Sequence, residues 1–67
     1  MRIYLNEKEY VFDETNLTIN DLLKKLNMSC MGVVAEVDGD VFNSKNFSNA
    51  TIKDGSKIEL IRIVGGG

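Results

Sequence analysis

A chain of 67 residues makes one domain, and at this size a fold buries only about 60% of the surface its unfolded chain exposes, so one thin core is all it can hold. Eight basic against ten acidic side chains give a net charge of -2, which leaves no electrostatic footprint for a phosphate backbone and excludes nucleic acid as a partner. With 43% hydrophobic and 27% charged residues the proportions are globular, and no apolar stretch approaches the roughly 18 residues that span a bilayer, so no membrane role is expected.

From the N-terminus, Arg2 to Leu5 alternate, with Ile3 and Leu5 on one face and Arg2 and Tyr4 on the other. This is a strand pattern rather than a charged segment followed by an apolar run, so no export signal is read and a cytoplasmic protein is expected. The polar Asn6-Glu7-Lys8 reads as a hairpin turn into a second strand over Glu9-Tyr10-Val11-Phe12. Thr18 then stands where its hydroxyl can cap a helix, with Asp21 reaching back as a short stand-in for glutamate and Leu17 and Leu22 at staple positions. Ile19, Leu22, Leu23 and Leu26 recur at i, i+3, i+4 and i+7, which predicts a helix from about Ile19 to Asn27 with one buried stripe. At roughly 1.5 Å per residue it suits crossing one face of a small sheet, and it is too short to stand alone.

After the loop Met28-Ser29-Cys30-Met31-Gly32, Val33 to Val37 reads as a strand, and Asp38-Gly39 is a tight-turn dipeptide before Asp40-Val41-Phe42. Residues Asn43 to Thr51 are polar apart from Phe47 and Ala50, and read as a loop or a single helical turn pinned by those side chains and Ile52. Asp54-Gly55 turns into a final strand, Lys57 to Val64. One mixed sheet of four or five strands with one helix packed on one face follows, an α+β architecture whose strand order is not legible. If Ile58 and Leu60 face the helix, Glu59, Ile61 and Ile63 point to the face that a single helix cannot cover. Tyr4, Ile61 and Ile63 are therefore the candidate partner surface.

Few residues invite catalysis. The chain has no histidine, and its single cysteine, Cys30, has only Lys24 and Lys25 as nearby cations, so it is read as a loop thiol. Asp38 and Asp40 flank a glycine turn and read as solvated turn residues. Gly55-Ser56-Lys57 lacks the spacing of a phosphate-binding loop and precedes a strand, so any ATP chemistry must come from another protein. Without histidine or a second cysteine no metal cluster is read. No cofactor is expected on the chain itself.

Beyond Val64 come three glycines, Gly65-Gly66-Gly67, read as a thin, flexible tail after a single domain of residues 1–64. The last four residues reach at most about 14 Å. The carboxylate of Gly67, with an ordinary pKa of about 3.3–3.7, is ionised at neutral pH and is a poor electrophile until it is activated.

The order of elements, the capped helix around Asp21-Leu22-Leu23, the turn at Asp54-Gly55 and the ending Ile63-Val64-Gly65-Gly66-Gly67 together resemble the ThiS-type ubiquitin-like sulfur carriers. The resemblance covers essentially the whole chain. It implies a β-grasp fold with the first and last strands side by side at the centre of the sheet. It also implies a carrier rather than an enzyme: an E1-like adenylyltransferase (ThiF-like) uses ATP to adenylate Gly67, sulfur from a cysteine desulfurase relay replaces the adenylate, and the thiocarboxylate serves thiazole synthase (ThiG-like). Gly65 and Gly66 are then the tail that enters partner active sites. Where many relatives carry a proline and a basic residue after the second hairpin, this chain reads Val41-Phe42-Asn43-Ser44, a departure that bears on the partner. The alternatives are a carrier like the small subunit of molybdopterin synthase, and a ubiquitin-like modifier or binding module.

Overall fold

The computed structural model describes residues 1–63; the tail glycines and Val64 lie outside the described residues. The first strands, β1 (Arg2–Leu5) and β2 (Lys8–Val11), form a hairpin in register Leu5↔Lys8. Its turn is Asn6-Glu7 alone, both at positive φ (47° and 69°), the geometry whose twist matches paired strands, so Lys8 belongs to the strand and not to the turn.

Strand β3 (Asn16–Thr18) leads into the helix α1 (Ile19–Lys25). The capping box expected at its start is present: Thr18 Oγ1 accepts from the Asp21 N–H at 3.2 Å, and Asp21 Oδ2 accepts from the Thr18 N–H at 3.0 Å. The helix closes earlier than its apolar periodicity suggests. Asn27 takes the left-handed conformation (φ 57°), its N–H donates to the Lys24 carbonyl, and the Met28 N–H donates to the Leu23 carbonyl at 2.9 Å. This pair of bonds satisfies the carbonyls of the last turn and stops the helix, while Met28 packs against the core.

Strands β4 (Val33–Val37) and β5 (Asp40–Phe42) form the second hairpin across Asp38-Gly39, both at positive φ. A 3-10 turn over Phe47–Asn49 follows, then β6 (Thr51–Lys53) and β7 (Lys57–Arg62). Phe47, Ala50 and Ile52 are fully buried, as the pinned-turn reading requires. The final strand ends at Arg62, and the expectation that it continues to Val64 falls outside the described residues.

The main sheet has the order β2-β1-β7-β4-β5, with β7 at its centre, parallel to β1 and antiparallel to β4. One helix packs on this mixed five-stranded sheet, the β-grasp arrangement. A second, two-stranded sheet pairs β3 with β6 through Leu17↔Ile52. Neither strand was legible, because each offers three residues with a single apolar one between polar neighbours. The pairing joins the helix start to the segment before β7, and the Ile19 N–H donates to the Ala50 carbonyl beside it. Ile3, Ile19, Leu22, Phe47, Ile52 and Ile58 fill the core between helix and sheet.

Candidate functional site

Alternation along β7 divides its side chains between two environments. Ile58 is buried under the helix and Leu60 packs against the same core, whereas Glu59 and Ile61 point away. Ile61 is 51% exposed and Ile63, just past the strand, 59%. Val34 lies opposite Ile61 in the β4–β7 ladder, and Met31 stands exposed in the loop before β4, so the end of β7 is bordered by apolar side chains. Tyr4, 37% exposed, is on this same open face beside Lys57. It lies four positions back along β7 from Ile61, about 13 Å at 3.3 Å per residue. Ile61 and Ile63 thus stand together at the chain's exit from the sheet, and Tyr4 marks the far end of the face.

Between those ends the face is acidic. A shallow concavity is lined by Tyr4, Lys57 and four carboxylates, Glu7, Glu36, Asp38 and Glu59. Glu36 and Glu59 are direct cross-strand neighbours, an arrangement that destabilises a sheet when both are charged. Among the described residues the ion pairs are Arg2–Glu9 and Lys25–Glu14, and neither involves this pair.

The exit itself is fixed by backbone. The Ile63 N–H donates to the Gly32 carbonyl at 2.6 Å, adding one bond to the β4–β7 ladder beyond the last residue of β7. Gly32 has φ 69°, and a Cβ there would stand 3.0 Å from the Ile63 carbonyl oxygen. In the sequence Gly32 is only the last residue of a loop. Its pairing with a residue far along the chain left no local signal, apart from a glycine immediately before a strand. The sequence likewise marks Asn6 only as a turn residue, yet its side-chain oxygen accepts from the Leu60 N–H at 2.9 Å where β1 ends.

Two carboxyls are held below their ordinary range. Asp21 is lowered by the Thr18 N–H and then the Thr18 hydroxyl, and Glu14 chiefly by its hydrogen bond to the Lys25 ammonium. Both belong to the helix and its lead-in, so their roles are structural. Cys30 is an exposed free thiol. The described residues contain no group of three potential metal ligands and no helix long and apolar enough to cross a membrane. The expected modification site, Gly67, and the lead residues Gly65 and Gly66 lie outside the described residues.

Comparison with known proteins gives this geometry a context. The profile of the ThiS family matches residues 2–67. The crystal structure of a thiamine biosynthesis protein (ThiS) from Geobacter metallireducens superposes with a TM-score of 0.84 at 30% identity, covering 100% of both chains. An NMR structure of a thiamine biosynthesis protein from the same organism gives 0.76 at 30% identity, over 100% of this chain and 88% of that one. The uncharacterized protein ycf40 of Trieres chinensis is 33% identical over 64 residues, 96% of this chain and 86% of that protein. A profile match over residues 2–67, with two solved structures that cover the whole chain at 30% identity, places the chain in the ThiS family, small sulfur carriers of thiamine biosynthesis that act with partner enzymes.

Proposed function

We propose that the chain carries sulfur as a thiocarboxylate on Gly67. In this reading the Gly67 carboxylate attacks the α-phosphorus of ATP in the active site of an E1-like, ThiF-like adenylyltransferase, and pyrophosphate leaves. A persulfide sulfur supplied through a cysteine desulfurase then displaces AMP, and thiols release the thiocarboxylate by reducing the intervening S–S bond. Sulfur passes from there to a ThiG-like thiazole synthase in the cytoplasm. The chain holds no cofactor of its own, and ATP belongs to the activating partner.

The observation that carries this reading is the family match that extends to Gly67 on a fold whose central strand, β7, ends beside an uncovered apolar face. An ionised carboxylate needs activation before any nucleophile can attack it, and a glycine offers the attacking sulfur an unhindered carbonyl. Residues 1–64 then serve as the body that partners grip, through Tyr4, Ile61 and Ile63, while Gly65 and Gly66 lead Gly67 into narrow active sites. The acidic concavity between Tyr4 and Ile61 suits a partner surface that presents cations among apolar groups.

Deleting Gly67, or adding one residue after it, is expected to abolish sulfur transfer in an assay reconstituted with the activating enzyme and a sulfur source, with the thermal unfolding midpoint unchanged. Sulfur transfer at the wild-type rate by either variant contradicts the proposal.

A further inference from the structure

We infer that Gly32 is a positioning residue for the tail, fixing the peptide from which residues 64–67 depart; this rests on the carrier reading above. The Ile63 carbonyl belongs to the peptide plane that joins Ile63 to Val64. That carbonyl lies where a Cβ on residue 32 would meet it at 3.0 Å, and the Ile63 N–H is held by the Gly32 carbonyl at 2.6 Å. The backbone of Gly32 therefore holds the Ile63 N–H and leaves the Ile63 carbonyl room that a side chain would take. A side chain at position 32 requires the Ile63 carbonyl, which is backbone, to give by a few tenths of an ångström.

Gly32 is itself referenced to the helix. The Met28 N–H donates to the Leu23 carbonyl, the Met31 N–H to Ser29 Oγ at 3.1 Å, and the Val33 N–H to the Cys30 carbonyl at 3.3 Å. This short braced loop runs from the end of α1 to the start of β4 with hydrogen bonds along its length. The position of Ile63 is thus set from the helix side, whereas Tyr4 and Ile61 are set by β1 and β7. In a reaction whose rate depends on placing one carboxylate, a displacement of about 1 Å can cost on the order of a hundredfold, so a shift of a few tenths of an ångström is expected to cost severalfold.

The other glycines supply a control. Gly55 also sits at positive φ (86°), but a Cβ there meets nothing within 4 Å, and it lies outside the acidic concavity. Gly55→Ala carries the backbone strain of Gly32→Ala without the encounter with Ile63. Gly32→Asn tolerates the left-handed backbone while keeping the Cβ, and preserves the comparison if Gly32→Ala does not fold.

The test is steady-state ATP-dependent adenylation of the full chain by its activating enzyme, with melting of each variant and hydrogen exchange of the Ile63 amide measured alongside. For Gly32→Ala and Gly32→Asn the expected result is a kcat lower by roughly threefold to tenfold, a smaller change in the KM for the carrier, and faster Ile63 exchange. Gly55→Ala is expected to retain the wild-type kcat. Equal kinetic losses in the Gly32 and Gly55 variants overturn the inference and leave the carrier reading standing. If the wild-type chain is not adenylated at all, the carrier reading fails, and the positioning role falls with it.

Discussion

An isoleucine left half in water beside the end of a central strand needs a reason, and Ile61 has a second one, Ile63, two residues on. Singly exposed apolar residues are ordinary on any surface, but these two share the end of β7 with Val34 and Met31. Burying such a side chain against a partner contributes about 1.5–3 kcal/mol. Ile61→Asp is therefore expected to weaken binding to the activating enzyme by roughly tenfold or more, while the folding stability, set by residues on the opposite face, shifts by no more than about 0.5 kcal/mol. Titration of the enzyme with the purified variant checks both halves, and an unchanged affinity argues that the open face is not the contact. The exposure of Ile61 was legible because strand alternation is local. The role of Gly32 was not, since it depends on which strand lies beside β4, and nothing within a few residues of Gly32 encodes that.

At the scale of elements, the helix shows what local chemistry can and cannot specify. Seven residues make about 10 Å of helix, too short to persist without its caps and its buried stripe of Ile19, Leu22 and Leu23. The start was legible because Thr18 and Asp21 stand three apart before an apolar run. The stop was not, because Leu26 continues the periodicity and Asn27 ends the helix through backbone geometry. Asp21 also gives the element a pH dependence. Its carboxyl is held below the ordinary aspartate range by the Thr18 N–H and hydroxyl, so its stabilising effect is present above the unfolded-state value, near pH 4, and is lost as pH falls through the lowered folded value. Asp21→Asn is expected to unfold at lower denaturant than wild type at neutral pH, with the gap closing below about pH 4. A gap that stays constant across that range means the capping carboxylate contributes nothing through its charge.

On the scale of the whole molecule, one helix can cover one face of a five-stranded sheet, and the thin core this permits leaves the other face open. The element types and the mixed character of the sheet were legible from periodicity and turn dipeptides. The strand order was not, because the parallel pairing of β1 with β7 joins residues more than fifty positions apart, Tyr4 with Lys57 and Leu5 with Ile58, which no hairpin specifies. That pairing places the last strand at the centre of the sheet, hydrogen-bonded on both sides, with the exposed face of Tyr4 and Ile61 running along it. Carrier function in this reading is a property of that layout: a rigid body to be gripped, and a carboxylate delivered by three glycines. The most direct measurement is the intact mass of the chain after incubation with ATP, the activating enzyme and a persulfide source. The account predicts a gain equal to one sulfur replacing one oxygen, localised by fragmentation to Gly67. A chain that is adenylated but never acquires sulfur, or that instead appears linked through Gly67 to lysine side chains, contradicts it.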